Sequence, residues 1–291
     1  MREFILGTDF CSDCDDCMAV RIICRAHKKG EIKLSGICLN VCEELSVQAL
    51  GGFVANEGVD IPLGADKGAT DLNGNSVYHK RLAAIPSNYK SADDAEDGVK
   101  MYRRILANAE NKVEIIEIGF LQVLSALIDS KPDEISPLDG KELVRQKVDH
   151  IWIMAGEWPS GNEYNFAGFA RTRKDSANVC ENCPAPITYL GWECGHDVFS
   201  GGHLSENDLL HGVLEDYKRP NGHCSWDPMT VVLALKGSPE AYGFTSIKGT
   251  ASVNPKTGDN SFTVDKNAKD EYVVRLCKQS YYSDIINELL G

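Results

Sequence analysis

Short apolar runs alternate with longer amphipathic stretches along most of this 291-residue chain. The apolar runs predict five strands, at residues 3–8, 33–39, 113–118, 150–155 and 186–191. Between and after them, apolar residues recur with helical period, which predicts helices at 15–29, 43–57, 95–110, 121–130 and 204–217. Strands that alternate with helices in this way predict an open, mostly parallel α/β sheet with helices on both faces.

Residues 244–275 break this alternation, because three strand-like runs follow one another with turn residues between them. That pattern predicts a small antiparallel C-terminal appendage, followed by a last helix at 280–290. No repeat and no low-complexity segment interrupts the chain. We therefore expect a single α/β domain that spans residues 1–291.

The charge balance disfavours several classes of partner. Thirty basic and 43 acidic residues give a formal net charge of −13, which argues against nucleic acid and against an anionic membrane surface. No apolar stretch reaches the roughly 18 residues needed to cross a bilayer, and we see no signal peptide. Eleven cysteines without a secretion signal lead us to expect reduced thiols and a cytoplasmic location.

The segment GTDFCSDCDDCMAV, residues 7–20, places Asp9, Asp13, Asp15 and Asp16 between the first strand and the first helix. Ligands of open α/β sheets bind at such carboxyl ends of strands. Carboxylates this close raise one another's pKa unless a cation neutralises them, and Ca²⁺ takes such oxygen ligands, although the spacing is not that of an EF-hand. The alternative is a solvated loop whose last aspartates favour the helix N-terminus.

The cysteines offer a competing kind of metal site. Cys11, Cys14 and Cys17 form a CxxCxxC run, and Cys180 and Cys183 form a second CxxC. Such pairs can hold zinc or an iron–sulfur cluster. Because aspartates are interleaved with the first run, thiolates there would add to the repulsion, and we favour a role as small buried side chains.

Two later segments carry further polar groups. The loop in HIWIMAGEWPSGNEYNFAGF, residues 150–169, is rich in Glu and Asn, which can bind hydroxyl groups; a surface loop of ordinary composition is the alternative. In HCSWDPMTVVLAL, residues 223–235, Asp227 and Pro228 predict a helix start with Asp227 as N-cap and Pro228 at the first helical position. The same aspartate could complete the shell of a metal ion.

Taken in chain order, these motifs resemble those of the nucleoside hydrolases, the inosine–uridine-preferring N-ribohydrolases. The matching pieces are Thr8-Asp9, Asp15-Asp16-Cys17-Met18-Ala19, Asn40, Ile118-Gly119-Phe120-Leu121, Met154-Ala155-Gly156, Glu163-Tyr164-Asn165-Phe166 and Trp226-Asp227-Pro228. The tail to residue 290 resembles that of the branch with a Ser-Trp-Asp motif. The resemblance implies a Rossmann-like sheet, and an enzyme that acts in purine or pyrimidine salvage.

The implied reaction is Ca²⁺-dependent hydrolysis of the N-glycosidic bond of a ribonucleoside to free base and ribose. Carried over by position, Ca²⁺ would be bound by Asp9, Asp16, Asp227 and the backbone carbonyl of Ile118. Asp9 would also be the general base, and Asn40 would help to orient the water. The residues that would surround the substrate are Asp15, Met154, Glu163, Asn165 and, near the base, Trp226. The partners implied are a small nucleoside and further copies of the chain in a homodimer or homotetramer.

Several positions depart from the family pattern. Gly7 replaces the first aspartate, so whatever that carboxylate braces is expected to be missing, and the acidic turn is two residues longer, which adds Asp13. Ala155 replaces a glycine, and Trp226 replaces a histidine associated with the leaving base. Tyr78 and His79 are candidates for the base pocket, although a lone histidine is more often a structural residue. These departures keep open a catalytically idle protein that binds a nucleoside or a ribosylated metabolite.

Overall fold

The computed structural model describes all 291 residues, which form thirteen strands and twelve α-helices. The strands are β1 (Glu3–Thr8), β2 (Lys33–Leu39), β3 (Leu63–Ala65), β4 (Glu96–Asp97), β5 (Val113–Glu117), β6 (Val148–Met154), β7 (Ser160–Gly161), β8 (Ile187–Leu190), β9 (Phe199–Ser200), β10 (His223–Cys224), β11 (Phe244–Val253), β12 (Asn260–Val264) and β13 (Asp270–Arg275). The helices are α1 (Asp15–Lys28), α2 (Ser46–Asn56), α3 (His79–Ala83), α4 (Gly98–Asn108), α5 (Gln122–Asp129), α6 (Gly140–Lys147), α7 (Tyr164–Ala167), α8 (Ala170–Asn182), α9 (Trp192–Gly195), α10 (Leu209–Asp216), α11 (Trp226–Lys236) and α12 (Gln279–Leu290).

Eleven strands form one sheet in the order β4-β3-β2-β1-β5-β6-β8-β13-β11-β12-β7. The pairs from β4 to β13 are parallel, and those from β13 to β7 are antiparallel. The predicted parallel sheet and the predicted antiparallel appendage are both confirmed. The appendage continues the main sheet, because β13 pairs with β8; β9 and β10 form a separate two-stranded ribbon.

Helices cover both faces of the sheet, as the alternating pattern predicts. Along β1, the side chains of Phe4 and Leu6 enter the core formed with α1, α2, α11 and α12. Ile5 enters the core on the other face, formed with α4, α5, α6 and α8. This alternation follows from the two-residue period of a strand. No helix is both long enough and apolar enough to pass through a bilayer.

The chain changes direction around β1, which lies between β2 and β5. It runs outward through β2, β3 and β4 on one side, and then returns to place β5 and β6 on the other side. Such a reversal opens a crevice at the carboxyl ends of the strands, where open α/β sheets bind ligands. Asp9, Asn40, Ile118 and Met154 follow or end β1, β2, β5 and β6, so the fold brings these distant parts of the sequence to one edge.

Candidate functional site

Four carboxylates lie buried at this edge of the sheet. Asp9, Asp15, Asp16 and Asp227 are only 1%, 2%, 1% and 4% exposed. Oxygens of Asp15, Asp16 and Asp227 all lie within 4.8 Å of one another. The structure therefore brings the late aspartate against the acidic turn, over 200 residues away in sequence, in an arrangement that could hold a metal ion through oxygen ligands.

Asp9 and Asp16 are held by hydrogen bonds from the turn itself. Ser12 Oγ donates to Asp9 Oδ2 at 2.6 Å, and the backbone N–H of Cys11 donates to Asp9 Oδ1 at 3.2 Å. Thr8 Oγ1 donates to Asp16 Oδ1, which also accepts from the backbone N–H of Phe10 at 3.2 Å. Asp9 stands outside the group of three, but its carboxyl and that of Asp16 interact directly.

The electrostatics of the cluster favour a bound cation. Burial raises the pKa of Asp15, Asp16 and Asp227 well above the usual range, and the negative charge of their neighbours raises it further. Burial also raises the pKa of Asp9, against the opposing effect of its hydrogen bonds. Four buried carboxyl groups can all ionise only when a positive charge is present among them. The donor set, all oxygen and strongly acidic, fits a hard divalent cation.

The prediction that Asp227 caps its helix is wrong. Helix α11 begins at Trp226 with Ser225 as its cap residue, which places Asp227 second in the helix and Pro228 third. The backbone N–H of Asp227 instead donates to Oδ2 of Asp15 at 3.0 Å. Because the carboxylate of another helix satisfies this N–H, the side chain of Asp227 is left free to face the cluster.

A pocket of 320 Å³ opens beside the cluster, near the lower end of the volumes of about 300–1,000 Å³ typical of small-molecule sites. Its lining includes all five side chains expected to surround the substrate, together with Ile118 and Asp227. Those five are Asp15, Met154, Glu163, Asn165 and Trp226. Asp9, Asp16 and Asn40 do not line it. The pocket therefore joins six separate parts of the chain.

Glu163 and Asn165 hold the loop after β6 in place. The carboxylate of Glu163 accepts from the backbone N–H of Asn165 at 2.8 Å and from that of Gly156 at 2.9 Å. Asn165 Nδ2 donates to the carbonyl of Met154 at 3.0 Å. Burial raises the pKa of Glu163 to about 7, although these hydrogen bonds oppose the shift. The side chain can thus hold or release a proton near neutral pH.

Aromatic side chains form another part of the wall, and the sequence reasoning found only one of them. Trp226 Nε1 donates to the carbonyl of Trp192 at 2.8 Å, and Trp192 is 43% exposed. Tyr164 and Tyr217 also line the pocket, and Tyr217 donates to the carbonyl of Ser12 at 3.2 Å. Tyr164 and Trp226 lie in two of the family-like motifs, whereas Trp192 and Tyr217 lie in none, so the convergence of these side chains was visible only in the fold.

Asn40 lies against a glycine and a buried glutamate. A Cβ at Gly119 would lie 2.5 Å from the backbone nitrogen of Asp9 and 2.6 Å from Asn40 Oδ1, so only glycine allows this close approach. Glu117 occupies the space beside Gly7, so a carboxylate from β5 fills the region where we expected one to be missing. Its Oε2 and Asn40 Nδ2 are both buried without a hydrogen-bond partner. The sequence signal that could have identified Glu117 is an acidic residue inside the apolar run VEIIE, where acidic residues are rarely buried.

Tyr78 and His79 do not line the pocket, contrary to their candidacy for the base site. His79 is fully buried, stacks on Phe10 and contacts the carbonyl of Phe10 through Nε2 at 2.7 Å. Tyr78 donates to the carbonyl of Asp13 at 2.6 Å. Both residues bind backbone carbonyls of the acidic turn and stabilise it.

All eleven cysteines are free, and nine of them, including both CxxC runs, are buried.

No family model and no curated protein matches the sequence. Solved structures do match. The inosine-uridine preferring nucleoside hydrolase from Bacillus anthracis superposes with a TM-score of 0.71 at 15% identity, over 100% of this chain and 99% of that chain. The purine-preferring ribonucleoside hydrolase from Gardnerella vaginalis gives 0.72 at 15% identity, over 100% and 98%. The chain has a nucleoside hydrolase fold.

A type III effector protein also has a similar structure. The type III effector protein XopQ, solved in complex with adenosine diphosphate ribose, superposes with a TM-score of 0.73 at 15% identity, over 99% of this chain and 93% of that chain. The comparisons thus confirm the architecture that the resemblance implied. The assignment to the branch with a Ser-Trp-Asp motif stays a prediction.

Proposed function

We propose that the protein hydrolyses the N-glycosidic bond of a ribonucleoside, releasing free base and ribose, with Ca²⁺ bound at the acidic cluster. The observation that carries the proposal is the position of the buried carboxylates of Asp15, Asp16 and Asp227 beside a pocket that Glu163 and Asn165 also line. The proposed catalytic unit is a single domain of residues 1–291, assembled as a homodimer or homotetramer.

The proposed ligands of the cation are Asp9, Asp16, Asp227 and the backbone carbonyl of Ile118. Burial raises the pKa values of these aspartates and the negative charge of neighbouring carboxylates raises them further, and a divalent cation would offset both effects. The absence of nitrogen and sulfur from this set favours Ca²⁺ over zinc. When bound, the cation supplies positive charge that orients and polarises a water molecule and the ribose hydroxyls.

Asp9 is the proposed general base. A general base must be ionised before it can take a proton, and a bound cation would favour the ionised form of Asp9 against the opposing effect of its burial. The hydrogen bond from Ser12 Oγ fixes the orientation of the carboxylate. Asp9 takes a proton from the attacking water, whose oxygen bonds to the anomeric carbon while the electron pair of the C–N bond leaves with the nucleobase, and the nucleobase takes up a proton from solvent.

Breaking this bond places positive charge on the ribose, as in other glycoside hydrolyses. Asp15, Glu163 and Asn165 line the pocket and present carboxylate and amide oxygens to it. Oxygens fixed in advance by hydrogen bonds stabilise that charge more than they stabilise the neutral substrate, which lowers the barrier. The carboxylate of Glu163 is preorganised in this way, because the backbone N–H groups of Asn165 and Gly156 both donate hydrogen bonds to it.

We propose that the base packs against Trp226. An indole donates through its N–H and has no acidic proton to deliver to a leaving group, and here that N–H is already bonded to Trp192. An aromatic face offers stacking, which contributes about 1–3 kcal/mol per base. Trp192 and Tyr217 lie along the same wall and extend the surface available for the base.

The decisive experiment assays a panel of nucleosides for released ribose, with and without a chelator. The matched pair of variants is Asp9→Asn, which keeps an oxygen and loses the base, and Asp149→Asn, which makes the same change at an exposed position outside the pocket. Loss of a general base costs a factor of about 10² to 10⁴ in rate. We expect that loss in Asp9→Asn alone, with a much smaller change in the affinity of a non-cleavable analogue.

A binding protein without turnover is the second candidate. It is favoured by the likeness in fold to XopQ, which was solved with adenosine diphosphate ribose, and by the replacement of the family histidine with Trp226. The same experiment separates the two. Tight binding of an analogue or of adenosine diphosphate ribose, with no ribose released from any nucleoside, would establish the binding protein.

A further inference from the structure

His223 is a buried histidine with no hydrogen-bond partner. It is 8% exposed, and neither Nδ1 nor Nε2 of its ring makes a hydrogen bond of regular geometry, although Nε2 lies within ion-pair distance of Asp13. Buried polar groups in folded proteins are nearly always partnered, so each exception calls for an explanation. Strand β10 fixes the backbone of His223 by pairing it with Ser200, so the ring is held in position by the fold.

The ring is directed at two carboxylates of the acidic turn. His223 Nε2 lies 3.5 Å from Asp13 Oδ2, and ligand atoms of Asp13, Asp15 and His223 all lie within 4.8 Å of one another. The other oxygen of Asp13 accepts from the backbone N–H of Asp15 at 3.0 Å, which leaves Oδ2 on the side of the histidine. Tyr217 and Trp226 pack edge-on against the imidazole, with centroids 5.4 Å and 6.1 Å away.

We propose that Asp13, Asp15 and His223 form a second metal site, which binds a transition-metal ion, Zn²⁺ in the first instance. The imidazole nitrogen distinguishes this site from the oxygen-only set of Asp9, Asp16 and Asp227. Ca²⁺ strongly prefers oxygen ligands, whereas Zn²⁺ binds readily to a mixture of histidine nitrogen and carboxylate oxygen. The proposal does not rest on the proposed hydrolysis, because Asp13 and His223 have no role in that reaction and only Asp15 is common to both.

The position of the site indicates what the ion would contact. Asp13 and Asp15 line the pocket, so the ion would lie in its wall. Three protein ligands leave a fourth tetrahedral position for water or for an oxygen of a bound molecule. An oxygen of Asp15 also lies within 4.8 Å of oxygens of Asp16 and Asp227, two of the proposed Ca²⁺ ligands, so the two ions would be close neighbours.

The test uses the full chain, stripped of metal with a chelator and then saturated with Ca²⁺. Co²⁺ serves as the probe, because its visible absorption reports nitrogen and oxygen coordination, and Zn²⁺ is then added as a competitor. We expect one equivalent of Co²⁺ to bind in the presence of Ca²⁺ and to be displaced by Zn²⁺. Absence of Co²⁺ binding to the Ca²⁺-saturated protein would overturn the proposal, whether or not the protein hydrolyses nucleosides.

Variants separate this site from incidental binding. His223→Asn and Asp13→Asn should each weaken Co²⁺ binding by more than about tenfold, since loss of even an outer-shell partner costs about 10- to 100-fold. His211→Asn is the matched control, because His211 is also buried, has an unpartnered Nδ1 and has its Nε2 3.6 Å from Oε1 of Glu215. Equal Co²⁺ affinity in His223→Asn and the unmodified protein, or an equal loss in His211→Asn, would contradict the site. Asp13 is partly exposed, so Asp13→Asn decides the question if His223→Asn does not fold.

Discussion

The carboxylate of Glu117 on β5 occupies the space that any side chain at position 7 of β1 would need. A Cβ built on Gly7 would overlap Glu117 Oε2 and would lie 2.8 Å from the hydroxyl of Tyr102. That hydroxyl donates to Glu117 Oε1 at 2.9 Å, and burial raises the pKa of Glu117 to about 8. The glycine and the glutamate are therefore a matched pair across two neighbouring strands.

Gly7→Ala should destabilise the protein by about 1–3 kcal/mol, the usual cost of overpacking a core. The backbone at Gly7 is not left-handed, so the cost is steric. In a Glu117→Ala background the same change should cost far less, because the overlapping carboxylate is gone. Denaturant unfolding of the four proteins in a double-mutant cycle measures this coupling. The same cost in both backgrounds would show that the pair is not coupled.

Asp16→Ala should remove most of the stabilisation that Ca²⁺ confers. A ligand present at 100 times its dissociation constant stabilises the folded state by about 2.7 kcal/mol, and Asp16 is a proposed ligand buried beside Asp227. Thermal unfolding with Ca²⁺ and with a chelator measures the difference, and Asp149→Ala on the exposed start of β6 is the control. Unchanged Ca²⁺ affinity of the variant in a calorimetric titration would remove Asp16 from the metal site.

Glu163 should make the metal-free protein less stable as the pH rises from about 4.5 to about 7. Its pKa is raised from 4.5 to about 7 by burial, so in this window the folded state binds more protons than the unfolded state does. The stabilisation is complete below the unfolded pKa and is lost as the pH passes the folded pKa, with a total of about 3 kcal/mol. Glu163→Gln should reduce this slope, to which the four buried aspartates also contribute, in unfolding experiments with chelator; an unchanged slope would place the titration elsewhere.

Alkylation of the native protein should be confined to Cys224 and Cys277, the two cysteines that are partly exposed. The thiolate is the reactive form, and burial raises the pKa of Cys11 and Cys180 to about 12. Mass spectrometry after brief treatment with iodoacetamide should find these two sites modified, and all eleven after denaturation. Rapid modification of Cys11 or Cys14 in the native state would show that the acidic turn opens.

Much of the sheet could be predicted because its strands are buried on both faces and read as continuous apolar runs. β1 and β2 begin and end at the predicted residues. Helix α8 escaped prediction because the residues it buries, Thr172, Ser176, Val179 and Cys180, have helical spacing but are half polar. Local apolar periodicity therefore finds helices that pack through hydrocarbon and misses those that pack through small polar groups.

The site was predictable only where its residues belong to a motif. Asp15, Glu163 and Asn165 lie in the motifs that carried the resemblance, and the structure places all three around one pocket. Glu117 and His223 lie outside those motifs, and their roles depend on contacts between segments far apart in the chain. The N-cap predicted for α11 is wrong for a reason that the local sequence does not show. The backbone N–H of Asp227 donates to Asp15, which lies 212 residues away in the sequence.

The ends of the eleven-stranded sheet bear on how copies of this chain can associate. The terminal strands β4 and β7 have two residues each, and β4 consists of Glu96 and Asp97. Long, uncharged edge strands are templates for edge-to-edge aggregation, and short or charged ones prevent it. The sheet therefore offers little continuous edge for another chain to extend, and copies of this protein that associate would meet through helices and loops.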